Sequence, residues 1–158
     1  MFRYKITNVA EILEVPASKL RYWRQNIPGA WDRREDQRLV WPELLSLAVI
    51  ARFSEQARLE TAVFAGCFET LVNLLCGYHP IDLFDQRLLF NPNQGLFEIV
   101  SVEENVYEKL ASGDWVVSPL GEIVRQIFDC LFSTELGDEE KSHSVASSPE
   151  TEKLKPAA

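Results

Sequence analysis

Between Pro16 and Ile27 the chain reads Ala-Ser-Lys-Leu-Arg-Tyr-Trp-Arg-Gln-Asn, with Lys19, Arg21 and Arg24 as its charges and no carboxylate among them. Wound as a helix at about 100° per residue, Leu20, Trp23 and Ile27 fall on one narrow face, the spacing of a core stripe. Ser18, Arg21, Tyr22 and Gln25 fall on the opposite face, flanked by Lys19 and Arg24. No acid occurs from Ala17 to Ala30, so the outward surface is wholly hydrogen-bonding or cationic. Such a helix enters a DNA major groove without like-charge repulsion. Its arginines suit guanine edges or phosphate, and its Ser, Tyr and Gln suit phosphates or bases. Basic residues on a surface helix are common, so the elements on either side matter as well.

Upstream, residues 8–14 (Asn-Val-Ala-Glu-Ile-Leu-Glu) have helical spacing, with Thr7 or Asn8 as the expected cap and Asn8 with Glu11 at capping-box distance. Pro16 breaks that helix, the next runs from Ala17 to Asn26, and Ile27-Pro28-Gly29 ends it. Two short helices across a tight turn have the dimensions of a helix-turn-helix. Downstream, Ala30–Arg34 and Arg38–Trp41 read as a β-pair of the size of a wing. It carries Arg33, Arg34 and Arg38, with Asp32, Glu35 and Asp36 among them. Trp23, Trp31 and Trp41 lie on apolar faces and are expected in the core.

The runs Ile6-Thr7-Asn8-Val9-Ala10-Glu11-Ile12-Leu13, Leu20-Arg21-Tyr22-Trp23 and Arg38-Leu39-Val40-Trp41-Pro42-Glu43-Leu44 resemble the MerR-type winged helix-turn-helix of bacterial transcription regulators. The resemblance spans about residues 4–76, and Leu-Arg-Tyr-Trp is its most specific part. It implies that the second helix lies in the major groove, with Ser18, Lys19, Arg21, Tyr22 and the wing residues Arg38, Arg33 and Arg34 on DNA. The family usually has glycine where this chain has Glu14, and a non-glycine residue in a left-handed conformation costs about 1 kcal/mol. Trp41 stands where the family's wing closes on tyrosine. No long heptad helix follows the wing, so the family's coiled-coil dimer is not expected here.

The charge distribution supports this placement. The 158 residues carry a net charge of −8, but residues 1–60 hold ten Lys/Arg against eight Asp/Glu, and residues 61–137 hold three against eleven. Charges are screened over about 8–10 Å, so a basic N-terminal surface is compatible with an acidic whole. Other chemistry has little footing. His79 and His143 are the only histidines, there is no glycine-rich phosphate loop and no H-E-x-x-H, and Cys67, Cys76 and Cys130 form no C-x-x-C. Cys67 and Cys76 fall on one expected helix, about 180° apart, and cannot share a metal unaided. Neither enzyme activity, cofactor nor metal is expected.

After the wing, a helix starting at Pro42 runs through Phe53, and another covers roughly residues 60–76. Then come strands Arg87–Asn91 and Leu96–Val102 joined by Pro92-Asn93-Gln94-Gly95, a helix Glu103–Ala111, a strand Trp115–Val117 and a helix Leu120–Phe132. The expected fold is mainly α: a winged helix-turn-helix with following helices over 1–77, a small acidic α+β or helical unit over 78–136, and a disordered tail over 137–158. The expected function is sequence-specific binding of double-stranded DNA by a cytoplasmic homodimer, with an effector or protein partner at the acidic unit and no membrane association. An alternative is a protein-interaction module, an antitoxin or adaptor, whose acidic unit grips a basic partner.

Overall fold

Helix α3 (Trp41–Gln56) organises the molecule because it is apolar almost all round: Leu44, Leu45, Leu47, Ala48, Val49, Ile50 and Phe53 are all buried. Pro42 stands in its first turn, where a missing N–H costs nothing, and the Glu43 carboxylate accepts the Val40 N–H at 3.1 Å. Ser46, fully buried on the same helix, donates its hydroxyl to the Pro42 carbonyl at 2.7 Å. The computed structural model describes residues 3–29 and 38–146.

Before α3 come β1 (Arg3–Tyr4), α1 (Ile6–Leu13), α2 (Ala17–Asn26) and β2 (Leu39–Val40). After it come α4 (Thr61–Ala65), α5 (Phe68–Cys76), a short 3-10 turn at Pro80–Leu83, β3 (Gln86–Asn91), β4 (Leu96–Ser101), α6 (Tyr107–Ala111), β5 (Val116–Ser118) and α7 (Leu120–Ala146). Strands β4, β3 and β5 form an antiparallel sheet in that order, with Leu89 opposite Glu98 on one side and Val117 on the other.

Alternation along β3 divides the core. Leu88 and Phe90 enter a cluster that also takes in Val9, Leu20 and Trp23 from the first two helices and Val124 and Ile127 from α7. Leu89 points to the other face and packs in a satellite cluster with Val100, Val106 and Trp115. Segments 1–77 and 78–136 therefore share one hydrophobic core. Phe90 is its hub: ring centroids lie 4.5 Å from Phe97, 5.4 Å from Phe64 and 5.7 Å from Phe53. The β3–β4 hairpin turns at the expected four residues. The Asn91 side-chain oxygen accepts the N–H groups of Asn93 and Gln94, and Gly95 supplies the positive φ of 64°.

Several elements depart from the sequence expectation. Helix α1 begins at Ile6 with Lys5 as N-cap, so neither Thr7 nor Asn8 caps it. The helix expected over 60–76 is two helices, because the chain turns at Gly66 and Cys67 after α4 closes. Helix α6 covers only Tyr107–Ala111 of the expected 103–111. Ahead of it, Arg87 donates to the carbonyls of Ser101 and Glu104 and holds the chain in a turn that a helix would abolish. Strand β5 ends at Ser118, and Trp115 precedes it.

The largest departure is at the C-terminus. Order was expected to end at about Gly137, whereas α7 continues to Ala146. Extending a helix that packing has already nucleated is cheap, and Glu135, Glu139, Glu140 and Lys141 are good helix formers that offset one interior glycine. Residues 147–158 of the expected tail lie outside the described residues.

Candidate nucleic-acid interface

The orientation of α2 is set by the turn before it. Glu14 is left-handed, with φ 53° and ψ 38°. Its N–H bonds to the Glu11 carbonyl at 3.2 Å while the Val15 N–H bonds to the Ala10 carbonyl at 3.1 Å. These two bonds make a Schellman closure of α1. Pro16 follows in extended conformation, and its carbonyl receives the N–H groups of Lys19 (3.0 Å) and Leu20 (3.3 Å), which starts α2. The turn is thus held by a non-glycine residue in a left-handed conformation, under strain of about 1 kcal/mol.

Leu20, Trp23 and Ile27 are buried, as their spacing required, and anchor one side of α2 in the core. Ser18, Lys19, Arg21, Tyr22, Arg24 and Gln25 are all exposed. The Tyr22 side is notable, since a large aromatic residue is left 53% exposed on a helix with a well-formed core face. The Lys19 ammonium lies 5.3 Å from the centre of the Trp23 ring, so its stem lies back over the helix while its charge stays at the surface. Asn26 donates its side-chain amide to the Tyr22 carbonyl at 2.8 Å and closes the last turn.

Of the β-pair expected over Ala30–Trp41, the described part is β2, only Leu39–Val40, and Trp41 is already in α3. That strand pairs antiparallel with β1, Arg3 opposite Val40 and Tyr4 opposite Leu39. Arg38 is exposed at its entrance. The strand expected over Ala30–Arg34, with Trp31, Arg33 and Arg34, lies outside the described residues.

Sequence reasoning missed a groove beside the same turn. Ile12, Leu13 and Glu14 at the end of α1 face α3 and α7 across a space of about 410 Å³. A second space of about 420 Å³, lined by the same three residues and Gln126, continues it along α7 to Ser133. The available signal was Ala48 and Ala51, small side chains one turn apart in a helix otherwise filled by Leu, Val, Ile and Phe.

The cysteines are separated. Cys67 is buried at the α4–α5 break, its thiol directed to the Val63 carbonyl at 3.4 Å, and burial pushes that thiol above its ordinary pKa. Cys76 is exposed at the end of α5. Among the described residues no three His, Cys, Asp or Glu side chains cluster so as to hold a metal ion, and no helix is long and apolar enough to cross a membrane. Compared with known proteins, the chain matches no family model and no curated sequence.

Proposed function

We propose that this chain binds double-stranded DNA sequence-specifically, with α2 in the major groove, as a bacterial-type transcription regulator of the cytoplasm. One observation carries the reading. The second helix of a helix-turn-helix pair exposes Ser18, Lys19, Arg21, Tyr22, Arg24 and Gln25 without a single carboxylate, while Leu20, Trp23 and Ile27 hold its other face rigidly in the core. Arg21, Tyr22, Ser18 and Gln25 read base edges, and Lys19 and Arg24 contact phosphates. Arg38, with Arg33 and Arg34, extends the phosphate contacts from the wing. A single module of this size binds DNA weakly, so a homodimer on a two-fold site supplies the affinity.

The test is a fluorescence-anisotropy titration of a random-sequence duplex at two salt concentrations, with the full-length wild type and the double variant Arg21→Ala/Tyr22→Ala. The reading requires binding that weakens steeply with salt and is about tenfold weaker in the variant, with thermal unfolding unchanged because both side chains are exposed. A folded wild type that shows no salt-dependent binding, or a variant that binds as well as wild type, overturns it.

A further inference from the structure

Strand β4 is an edge of its sheet: β3 pairs with it on one side, and among the described residues no strand lies on the other. The register fixes which of its backbone groups are engaged. The Val102 N–H reaches the Asp85 carbonyl at 3.0 Å, and bonded pairs in an antiparallel ladder recur at every second residue. Leu96, Glu98 and Val100 therefore turn their N–H and C=O groups toward β3, opposite Asn91, Leu89 and Arg87. Phe97 and Ile99 turn theirs outward, where no partner meets them among the described residues. The Ser101 carbonyl ends the open stretch, because the Glu104 N–H at 3.1 Å and the Arg87 guanidinium at 3.2 Å both reach it. Exposed edges usually carry lysine, proline or a bulge that keeps other strands away. Strand β4 has none of these, and its one charge, Glu98, is paired with Lys109 of α6.

The open groups are symmetric about Glu98, so the edge is complementary to itself. An antiparallel second copy, related by a two-fold axis at Glu98, sets Phe97 against its Ile99 and Ile99 against its Phe97. Every open N–H and C=O of the two residues then finds a partner. Both side chains lie on the core face of the sheet and are half-buried, so the pairing also covers aromatic and β-branched surface that the edge leaves bare. On the outer face Leu96, 49% exposed, comes opposite Val100 of the second copy. The two Glu98 side chains meet at the axis, each with its own Lys109, which is further held over the Trp115 ring at 5.0 Å. Charges of the two signs are therefore balanced there. We propose that β4 is the homodimer interface of this protein, two copies joining their three-stranded sheets into one continuous sheet. The inference builds on the homodimer proposed above and names the surface that forms it; it needs nothing of α2 on DNA.

The test is sedimentation equilibrium of the full-length protein without DNA, across a concentration series, with a thermal melt of every variant. Wild type is expected to dimerise. Ile99→Pro removes an N–H that β3 does not use, and proline is tolerated at such an outward position of an edge strand. It is expected to fold and to raise the dimer dissociation constant at least about tenfold, because the ring stands where a partner strand must approach. Lys109→Glu gathers like charges at the axis while removing only a partly exposed ion pair from the monomer. It is expected to melt near wild type and to weaken the dimer at least about tenfold. The charge swap Glu98→Lys/Lys109→Glu is expected to restore the dimer, and Arg21→Ala/Tyr22→Ala to dimerise like wild type. A wild type that stays monomeric throughout the series overturns this proposal and the homodimer together. A dimer that Lys109→Glu leaves intact, or that the swap does not restore, overturns this proposal alone, whether or not Ile99→Pro folds. The DNA titration of Arg21→Ala/Tyr22→Ala is read separately from all of these outcomes.

Discussion

The indole of Trp41 stacks on the ring of Phe128, with centroids 5.3 Å apart and planes inclined by 14°. The contact joins the first turn of α3, just after β2, to α7. Phe84 meets the same Phe128 ring edge-on at 5.9 Å, so three separate chain segments converge on one side chain. Phe128→Ala is expected to cost about 3 kcal/mol of stability, and a Trp41/Phe128 double-mutant cycle to return a coupling of about 1 kcal/mol. Urea unfolding of the four proteins measures both. Additive losses would show that the stack contributes only its buried area.

Gly121, in the first turn of α7, leaves no room for a side chain: a Cβ there would lie 1.9 Å from the Phe84 carbonyl oxygen. Relief requires moving backbone, so Gly121→Ala is expected to destabilise by about 3 kcal/mol or more. Gly66 is the contrasting case, with open space around it and a right-handed conformation that alanine adopts readily. Gly66→Ala is expected to be neutral or to stabilise by up to about 1 kcal/mol. Thermal melts should place Gly121→Ala well below wild type and Gly66→Ala at or above it.

Glu14 holds a φ of 53° without being glycine. Glu14→Gly removes the Cβ strain at the turn, and the gain is expected to be up to about 1 kcal/mol, reduced by the greater freedom of glycine in the unfolded chain. Glu14→Val, with a branched side chain at the same φ, is expected to lose more than 1 kcal/mol, about the range for backbone strain. Equal stability of the glycine and valine variants would remove backbone strain from the account of this turn.

Burial raises the Cys67 thiol above its ordinary pKa, so the folded protein resists forming a thiolate there. The sign follows from linkage. At neutral pH and below the thiol is protonated in both folded and unfolded chains, and its contribution to stability is whole. As pH rises beyond that, the unfolded chain loses its proton first, and stability falls. Cys67→Ala should flatten that alkaline decline in a pH series of urea midpoints. At neutral pH a thiol reagent should modify exposed Cys76 promptly and Cys67 only with unfolding, a difference peptide mapping can read.

Local signals sufficed for α2, whose limits, buried stripe and exposed stripe all follow from the spacing of Leu20, Trp23 and Ile27 between two proline-marked breaks. They sufficed equally for the β3–β4 hairpin, where Asn91 and Gly95 carry the turn chemistry within the turn itself. A helical period and a turn residue act over a few positions, so they can be read from a few positions. The boundaries that failed depend on distant partners: Arg87 reaching the Ser101 and Glu104 carbonyls shortened α6, and strand β2 found its described partner in Arg3–Tyr4. The single core shared by the basic and acidic segments has the same origin, since no local pattern says that Phe90 will meet Phe53 and Phe64. The groove between α1, α3 and α7 belongs to none of those helices alone. It exists because Ala48 and Ala51 on one helix face Ile123 and Ile127 on another, and only tertiary packing brings such faces together.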